Sequence, residues 1–220
     1  MINGRYSSTA IALLSGGIDS AVALYWALKV KRFNTSTLTF DYYRRSKKEI
    51  VAAERISRAA GCRNLRLRLE FLKELDDIRS KSNKGLEGVE SSYIPARNII
   101  FYGIACSVAE PRGCRYIVGG HNKDDVKSFP DSSPNFFAQF NRLSTVGLFS
   151  GARTGRVILP LSHLRKSAVI KLGKRLGVPF ELTWSCYYEN PSPCGMCHAC
   201  RLRESAFISA RVEDPLQKSR

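Results

Sequence analysis

The sequence contains no apolar run near the ~20 residues of a membrane-spanning helix, because Lys29 ends its first apolar stretch. Residues 1–5 also lack the layout of a secretory signal, a charged segment followed by an apolar one. Both absences favour a cytoplasmic protein that does not bind membranes. A Walker A sequence and the dinucleotide fingerprint G-x-G-x-x-G are missing too, which excludes two common nucleotide-binding loops.

Acidic residues are scarce in this chain. It has 19 Asp and Glu against 35 Lys and Arg, a formal net charge of +16. Such an excess fits affinity for nucleic acid, attraction of anionic substrates or a basic host proteome. The basic residues are scattered, with small clusters at 29–32, 44–48 and 63–68, and no aromatic-plus-basic RNA motif accompanies them. Direct binding of nucleic acid is therefore less favoured, although it stays open.

Strand-like and helix-like segments alternate along the 220 residues, which are enough for one domain, residues 1–220. Strands are predicted over 10–14, 35–40, 65–69, 115–120 and 157–161. Helices are predicted over 21–28, 44–60, 97–109, 134–148 and 163–174. The alternation predicts an α/β fold with a doubly wound parallel five-stranded sheet. Residues 71–92 are expected to form a short helix and then a loop over the active site.

Finer expectations concern individual residues. Leucines alternate with arginines over 65–69, which predicts a strand at the sheet edge. Ser162 is expected to cap the last helix, with Lys166 one turn inside it and Gly177 at its end. The inner face of the helix over 134–148 is expected to carry Phe136, Phe137, Phe140 and Leu143.

The stretch Ser15-Gly16-Gly17-Ile18-Asp19-Ser20 stands between the first predicted strand and helix. Glycines permit a tight turn and close approach of a ligand to the main chain. The helix N–H groups, the helix dipole and the two serine hydroxyls would converge there, which favours an anion, most often phosphate. An ordinary strand–helix turn with a serine cap is the alternative. Arg97 also points to an anion, because a cation is unfavourable at a helix start unless it meets a phosphate or carboxylate.

Four of the seven cysteines form the pattern C-x7-C-x2-C-x2-C near the C-terminus. In a cytoplasmic chain, such clustered cysteines indicate a metal site rather than disulfides. Four thiolates favour a tetrahedral, structural Zn²⁺, while an iron–sulfur cluster is the competitor and a redox C-x-x-C is less favoured. The expected metal ligands are Cys186, Cys194, Cys197 and Cys200, within a zinc-binding subregion over 183–207.

Several stretches together resemble the 7-cyano-7-deazaguanine synthase family, of the N-type ATP pyrophosphatase superfamily. They are the loop over 15–20, Ile94-Pro95-Ala96-Arg97-Asn98, Gly120-His121-Asn122, Phe129-Pro130-Asp131 and Thr183-Trp184-Ser185-Cys186-Tyr187 with the three following cysteines. The sequence departs from the family pattern in three places: Ser132-Ser133-Pro134 replaces a frequent Cys-Arg, no Gly-Gln follows the second strand, and Ala96 replaces a frequent glycine. The first two lie near the expected substrate pocket. Together with the excess positive charge, they leave open a relative that transfers the activated acid to another acceptor.

The resemblance implies an adenine nucleotide alpha hydrolase-like fold and an ATP-dependent ligase. It would convert 7-carboxy-7-deazaguanine and ammonia to the amide and then the nitrile, with Mg²⁺ and Zn²⁺ bound. The implied catalytic residues are Asp19, Arg97 and Lys166. The implied nucleotide-binding residues are Leu13, Leu14, Ser15, Gly16, Gly17, Ile18, Asp19, Ser20 and Ala21. The implied substrate-binding residues are Asn98, Asn122, Asp125, Phe129 and Asp131.

Two other functions stay open at this point. One is a different adenylating enzyme of the superfamily, either tRNA-modifying or amide-forming. The other is a non-catalytic, zinc-containing module that binds nucleic acid, although the presence of Asp19 in the loop disfavours it. A homodimer is expected, because twofold symmetry is the commonest oligomeric arrangement.

Overall fold

A computed structural model describes residues 8–43, 45–80 and 94–216 of the chain. The strands are β1 (Thr9–Leu13), β2 (Asn34–Asp41), β3 (Asn64–Arg68), β4 (Tyr116–Val118) and β5 (Arg156–Ile158). The α-helices are α1 (Ile18–Lys29), α2 (Lys47–Ala59), α3 (Phe71–Ser80), α4 (Arg97–Ala109), α5 (Pro134–Gly147), α6 (Lys166–Leu176) and α7 (His198–Ala210). The predicted short helix after β3 is present, but the proposed loop over 81–93 lies outside the described residues.

The five strands form one parallel sheet in the order β3-β2-β1-β4-β5. This confirms the predicted sheet and places β3 at an edge, as its alternating sequence indicated. The chain runs outward from β1 to β3 and then crosses to the far side for β4, so the strand order reverses between β1 and β4. Ligands of open α/β sheets bind at the carboxyl ends of the strands beside such a reversal.

The core lies on both faces of the sheet. Alternate residues of β1 point to opposite sides, so Ala10 and Ala12 pack with α1, α2, α6 and α7, whereas Ile11 packs with α4 and α5. All three side chains are at most 1% exposed. Burial on both faces explains why β1 is a continuous apolar run instead of an alternating one.

Two expectations about helices are wrong. Helix α6 begins at Lys166, not His163, and Ser162 does not cap it, because the Ser162 hydroxyl donates to the Leu159 carbonyl. Lys166 is therefore the first helical residue, and its N–H donates to Asp124 Oδ2 over 3.0 Å. Leu143 was expected to face inward on α5, but it is 70% exposed.

Other local expectations are confirmed. Gly177 ends α6 with φ +64°, the left-handed conformation that suits glycine. Phe137 is buried under α5. No helix in the described ranges combines the length and apolar character that crossing a bilayer requires. The expected cytoplasmic location and the division into one domain with a C-terminal subregion stay predictions.

Candidate active site

The loop between β1 and α1 takes a conformation that its glycines make possible. Gly16 has φ +86°, and a Cβ there would lie only 2.3 Å from the Glu49 carbonyl oxygen of α2. From the other side, a Cβ on Gly120, just after β4, would lie 2.8 Å from the Ser20 backbone. The loop is thus held tightly between α2 and the end of β4, and larger residues would displace it.

The two loop serines contact each other as the sequence indicated. Their hydroxyl oxygens are 3.0 Å apart, and the Ser15 N–H donates to Ser20 Oγ over 3.1 Å. The Gly17 N–H in turn donates to Ser15 Oγ over 3.3 Å. No side chain caps α1 at Gly17, so the positive end of the helix dipole faces the loop. This geometry suits an anion.

Asp19 lies in the first turn of α1 and faces the start of α6. Its Oδ2 accepts a short charge-assisted hydrogen bond from Lys166 Nζ. Within the described residues, its Oδ1 is buried and has no hydrogen-bond partner. A buried carboxylate oxygen without a partner is unfavourable unless a donor or cation completes it, and Mg²⁺ prefers such oxygens. The orphaned oxygen therefore fits a magnesium ligand.

A cavity of about 320 Å³ opens above this loop. Of the residues predicted to bind nucleotide, it is lined by Leu13, Leu14, Ser15, Gly17, Asp19 and Ser20. The predicted pair Arg97 and Asn98 lines it as well. By contrast, Ala21 is fully buried in the core, and Ile18 lines a neighbouring cavity. Neither residue lines the 320 Å³ cavity, and both belong to the hydrophobic core beside the loop.

Arg97 is the first residue of α4, and its guanidinium lies 5.4 Å from the centre of the Phe129 ring. Among the described residues, no carboxylate forms an ion pair with it. Asp131, which lies outside α4, caps the start of that helix, because its Oδ2 accepts from the Asn98 N–H over 3.1 Å. The Asn98 side chain donates to the Asp131 carbonyl over 3.0 Å.

Asn122 and Asp125 form a second pair in the loop after β4. Asp125 accepts from the Asn122 N–H over 2.9 Å and from its side-chain amide over 3.3 Å. Burial, together with the nearby Asp19 carboxylate, raises the pKa of Asp125 to about 6. Both residues line a second cavity of about 650 Å³ with Phe129 and Lys166. Of the predicted substrate residues, Asn98 thus lines the first cavity and Asn122, Asp125 and Phe129 line the second. Asp131 lines neither of these two cavities and instead holds Asn98.

Nine residues that line the 320 Å³ cavity are absent from the predicted site residues, and two of them, His121 and Arg45, make contacts that shape the site. The His121 ring packs against both Tyr102 and Phe137, whose ring centroids are 5.8 and 5.3 Å from its own. Burial, and then the Arg97 cation, lower the pKa of His121 to about 4, so the ring is neutral at pH 7.

Arg45 is the second of these residues. Its guanidinium donates to the Phe40 and Ser15 carbonyl oxygens and pairs with Glu49, which fixes the end of β2 to the loop. No local pattern could reveal this role, because the contacts span up to 30 positions along the chain.

The four clustered cysteines come together at the start of α7. Their sulfur atoms all lie within 4.8 Å of one another. One tetrahedral ion with Zn–S bonds of ~2.3 Å would place them ~3.8 Å apart, and the pair Cys194–Cys200 is at 3.9 Å. Backbone N–H groups of Cys197 and Met196 lower the pKa of the Cys194 thiol to about 6, whereas burial raises the pKa of the Cys200 thiol to about 12. The donors therefore fit a single metal ion.

A parallel sheet with this strand order and a Ser-Gly-Gly-Ile-Asp-Ser loop at its reversal defines an ATP pyrophosphatase-type α/β fold. Solved structures agree on the fold. The U34-tRNA thiolase NcsA of Methanococcus maripaludis has a TM-score of 0.50 at 18% identity, covering 94% of this chain and 72% of its own. NMN synthetase of Francisella tularensis has a TM-score of 0.50 at 20% identity, covering 95% and 79%.

The chain belongs to the family described as queuosine biosynthesis protein QueC, whose family model matches residues 9–211. A 7-cyano-7-deazaguanine synthase of Methanothermobacter thermautotrophicus is 36% identical over 94% of this chain and 98% of its own length. A second, from a Nostoc species, is 35% identical over 94% and 96%. The resemblance noted from the motifs is confirmed over nearly the whole chain.

Proposed function

We propose that this chain is an ATP-dependent carbon–nitrogen ligase that converts 7-carboxy-7-deazaguanine and ammonia to 7-cyano-7-deazaguanine, a precursor of modified tRNA nucleosides. The similarity to synthases of that name over nearly full length supports the substrate. The observation that carries the chemistry is the Asp19–Lys166 pair beside the serine–glycine loop, in which Asp19 lines the 320 Å³ cavity and Lys166 lines the neighbouring one.

The reaction has two adenylations. A carboxylate oxygen attacks the α-phosphorus of ATP and pyrophosphate leaves; ammonia then attacks the acyl carbon, and AMP leaves with that oxygen. The amide oxygen attacks the α-phosphorus of a second ATP, pyrophosphate leaves again, and loss of AMP and two N–H protons forms the nitrile. Both steps build charge on a phosphate, so stabilisation of that charge is the main task of the protein.

The residues of the site match this task. The loop amides and the hydroxyls of Ser15 and Ser20 would hold the pyrophosphate, and Asp19 would hold Mg²⁺, which neutralises phosphate charge when bound. Lys166 and Arg97 would stabilise the α-phosphate and the leaving group. Asn98 on the first cavity and Phe129 on the second would contact the deazapurine. Asn122, Asp125 and Asp131 would fix the surrounding loops by their hydrogen bonds.

The cysteine cluster would hold a structural Zn²⁺, because four protein ligands leave no position open for catalysis. An iron–sulfur cluster is distinguishable by iron content and visible absorbance. In a [4Fe–4S] cluster each cysteine binds a different iron, whereas the four sulfurs here lie within 4.8 Å of one another, close enough to share one ion. The homodimer expected from the sequence is part of the proposal, and light scattering measures it.

A single-turnover assay tests the activity. Zinc-loaded protein is mixed with 7-carboxy-7-deazaguanine, ammonium and Mg-ATP, and the products are read by mass spectrometry. Nitrile and AMP are expected from the parent protein and from the surface control Asp77→Asn, but not from Asp19→Asn. Accumulation of the amide would indicate the amide-forming alternative. Absence of AMP from the parent protein would refute the proposal, and salt-dependent RNA binding would then be tested.

A further inference from the structure

Trp184 connects the nucleotide loop directly to the segment that carries the cysteines. Its backbone N–H donates to the Gly16 carbonyl over 2.9 Å. A Cβ built on Gly17 would lie 3.9 Å from the Trp184 carbonyl oxygen, so the two backbones run side by side. Gly16 is the loop residue in the left-handed conformation. The contact therefore reaches the part of the loop whose geometry is most constrained.

The same tryptophan is fixed by the cysteine cluster. Its indole Nε1–H donates to the Cys186 carbonyl over 2.9 Å, and its ring packs with Cys186, Cys200 and Ala52. Only 9% of Trp184 is exposed. The position of the ring thus depends on Cys186, which a bound ion would hold in place together with three other sulfurs. Loss of the ion would release Cys186 and with it the acceptor of the indole N–H.

The residue that precedes Trp184, Thr183, is fixed by two side-chain hydrogen bonds. The Thr183 hydroxyl donates to the Phe180 carbonyl over 2.6 Å and accepts from Arg203 over 2.8 Å. Arg203 belongs to α7, the helix that begins inside the cysteine cluster. The segment over 183–186 is therefore held at one end by α7 and at the other by the cluster, with the Gly16 contact between them.

We propose that metal binding by the cysteine cluster and nucleotide binding by the loop are coupled, with Trp184 as the positioning residue between them. The proposal rests on the proposed function in that the loop binds ATP and the cysteine cluster binds a metal ion. A bound ion fixes Cys186 and hence Trp184, and Trp184 then holds Gly16 in the conformation that receives the phosphates. Because such coupling is reciprocal, each ligand raises the affinity of the chain for the other.

The test measures ATP affinity rather than activity. The chain has two tryptophans, so Trp26→Phe leaves Trp184 as the sole indole reporter, and Trp26 on α1 serves as the matched control position. ATP binding to this variant is measured by tryptophan fluorescence and by equilibrium dialysis, with zinc bound and after its removal by a chelator. Far-UV circular dichroism checks that the metal-free protein stays folded.

We expect the Kd for Mg-ATP to rise about 5- to 150-fold on zinc removal. A second variant, Trp184→Phe, lacks the indole donor and is tested with zinc bound at full stoichiometry. Its Kd for Mg-ATP should be at least fivefold higher than that of the parent protein. The control Trp26→Phe should change this Kd by less than twofold. If the metal-free protein unfolds, the zinc-loaded Trp184→Phe variant decides alone. Equal ATP affinity in Trp184→Phe and the parent protein would overturn the coupling. Failure of the zinc-loaded parent to bind ATP would instead overturn the proposed function.

Discussion

Removal of Arg203 alone should destabilise the protein far more than removal of Arg203 and its partner together. Arg203 and Asp214 form a bidentate ion pair at 2.6 and 2.8 Å, and their side chains are only 4% and 2% exposed. Arg203→Met would leave the Asp214 carboxylate buried without its counter-ion, which costs about 3–5 kcal/mol in such pairs. In the double variant Arg203→Met, Asp214→Leu, no charge is left behind, and we expect a loss of about 1 kcal/mol.

Urea unfolding at constant zinc concentration, followed by circular dichroism, measures both losses. Arg201→Met is the matched control, because Arg201 lies on the same helix with an exposed side chain, and it should change the free energy of unfolding by less than about 0.5 kcal/mol. The reasoning is refuted if Arg203→Met costs less than about 1 kcal/mol, or if the double variant costs as much as the single one.

Three further predictions concern the candidate active site. Gly16→Ala should destabilise the protein by about 2 kcal/mol or more and abolish ATP binding. Position 16 has φ +86°, and the added Cβ would lie 2.3 Å from a carbonyl oxygen of α2. Thermal unfolding measures the loss of stability, and equilibrium dialysis measures the loss of ATP binding. Asp19→Asn should slow AMP formation roughly 100-fold or more in quenched-flow assays. The amide is uncharged and has a single oxygen, which cannot both accept from Lys166 and serve as a cation ligand. The His121 ring should stay neutral down to a pH of about 4 in NMR titration.

The pH dependence of stability follows from the His121 shift. Because the folded state lowers the pKa of His121 from 6.5 to about 4, the favoured form is neutral. Its contribution is therefore complete above pH ~6.5 and is lost as the pH falls towards 4, by about 3 kcal/mol in all. His121→Gln should remove this part of the acid dependence. An NMR pKa near 6.5 would contradict the burial argument, as would an unchanged acid limb in His121→Gln.

Sequence patterns predicted most of the fold because the signals are local. The apolar run of β1, the Gly-Gly turn after it and the periodic helices each depend on residues within a few positions. The alternation of Leu and Arg in β3 even indicated its place at the sheet edge, since alternation means one face meets solvent. The cysteine spacing similarly predicted a cluster, because short C-x2-C pairs bring sulfurs together without reference to the rest of the chain.

What the sequence did not reveal depends on contacts between distant residues. Helix α6 begins at Lys166 because Asp124, 42 positions away, accepts its N–H, and not because of the nearby serine. Helix α4 is capped by Asp131, 33 positions away. Arg45 holds the loop over 30 positions, and Trp184 reaches Gly16 across most of the chain. Local patterns carry no information about such pairs.

The fate of the carboxylate oxygens tests the central claim most directly. With substrate labelled by ¹⁸O at both carboxylate positions, the proposed reaction transfers one labelled oxygen to AMP in each adenylation. Mass spectrometry should find two AMP per nitrile, each with one ¹⁸O, and no label in pyrophosphate. Label appearing in water or inorganic phosphate, or one AMP per nitrile, would contradict the account.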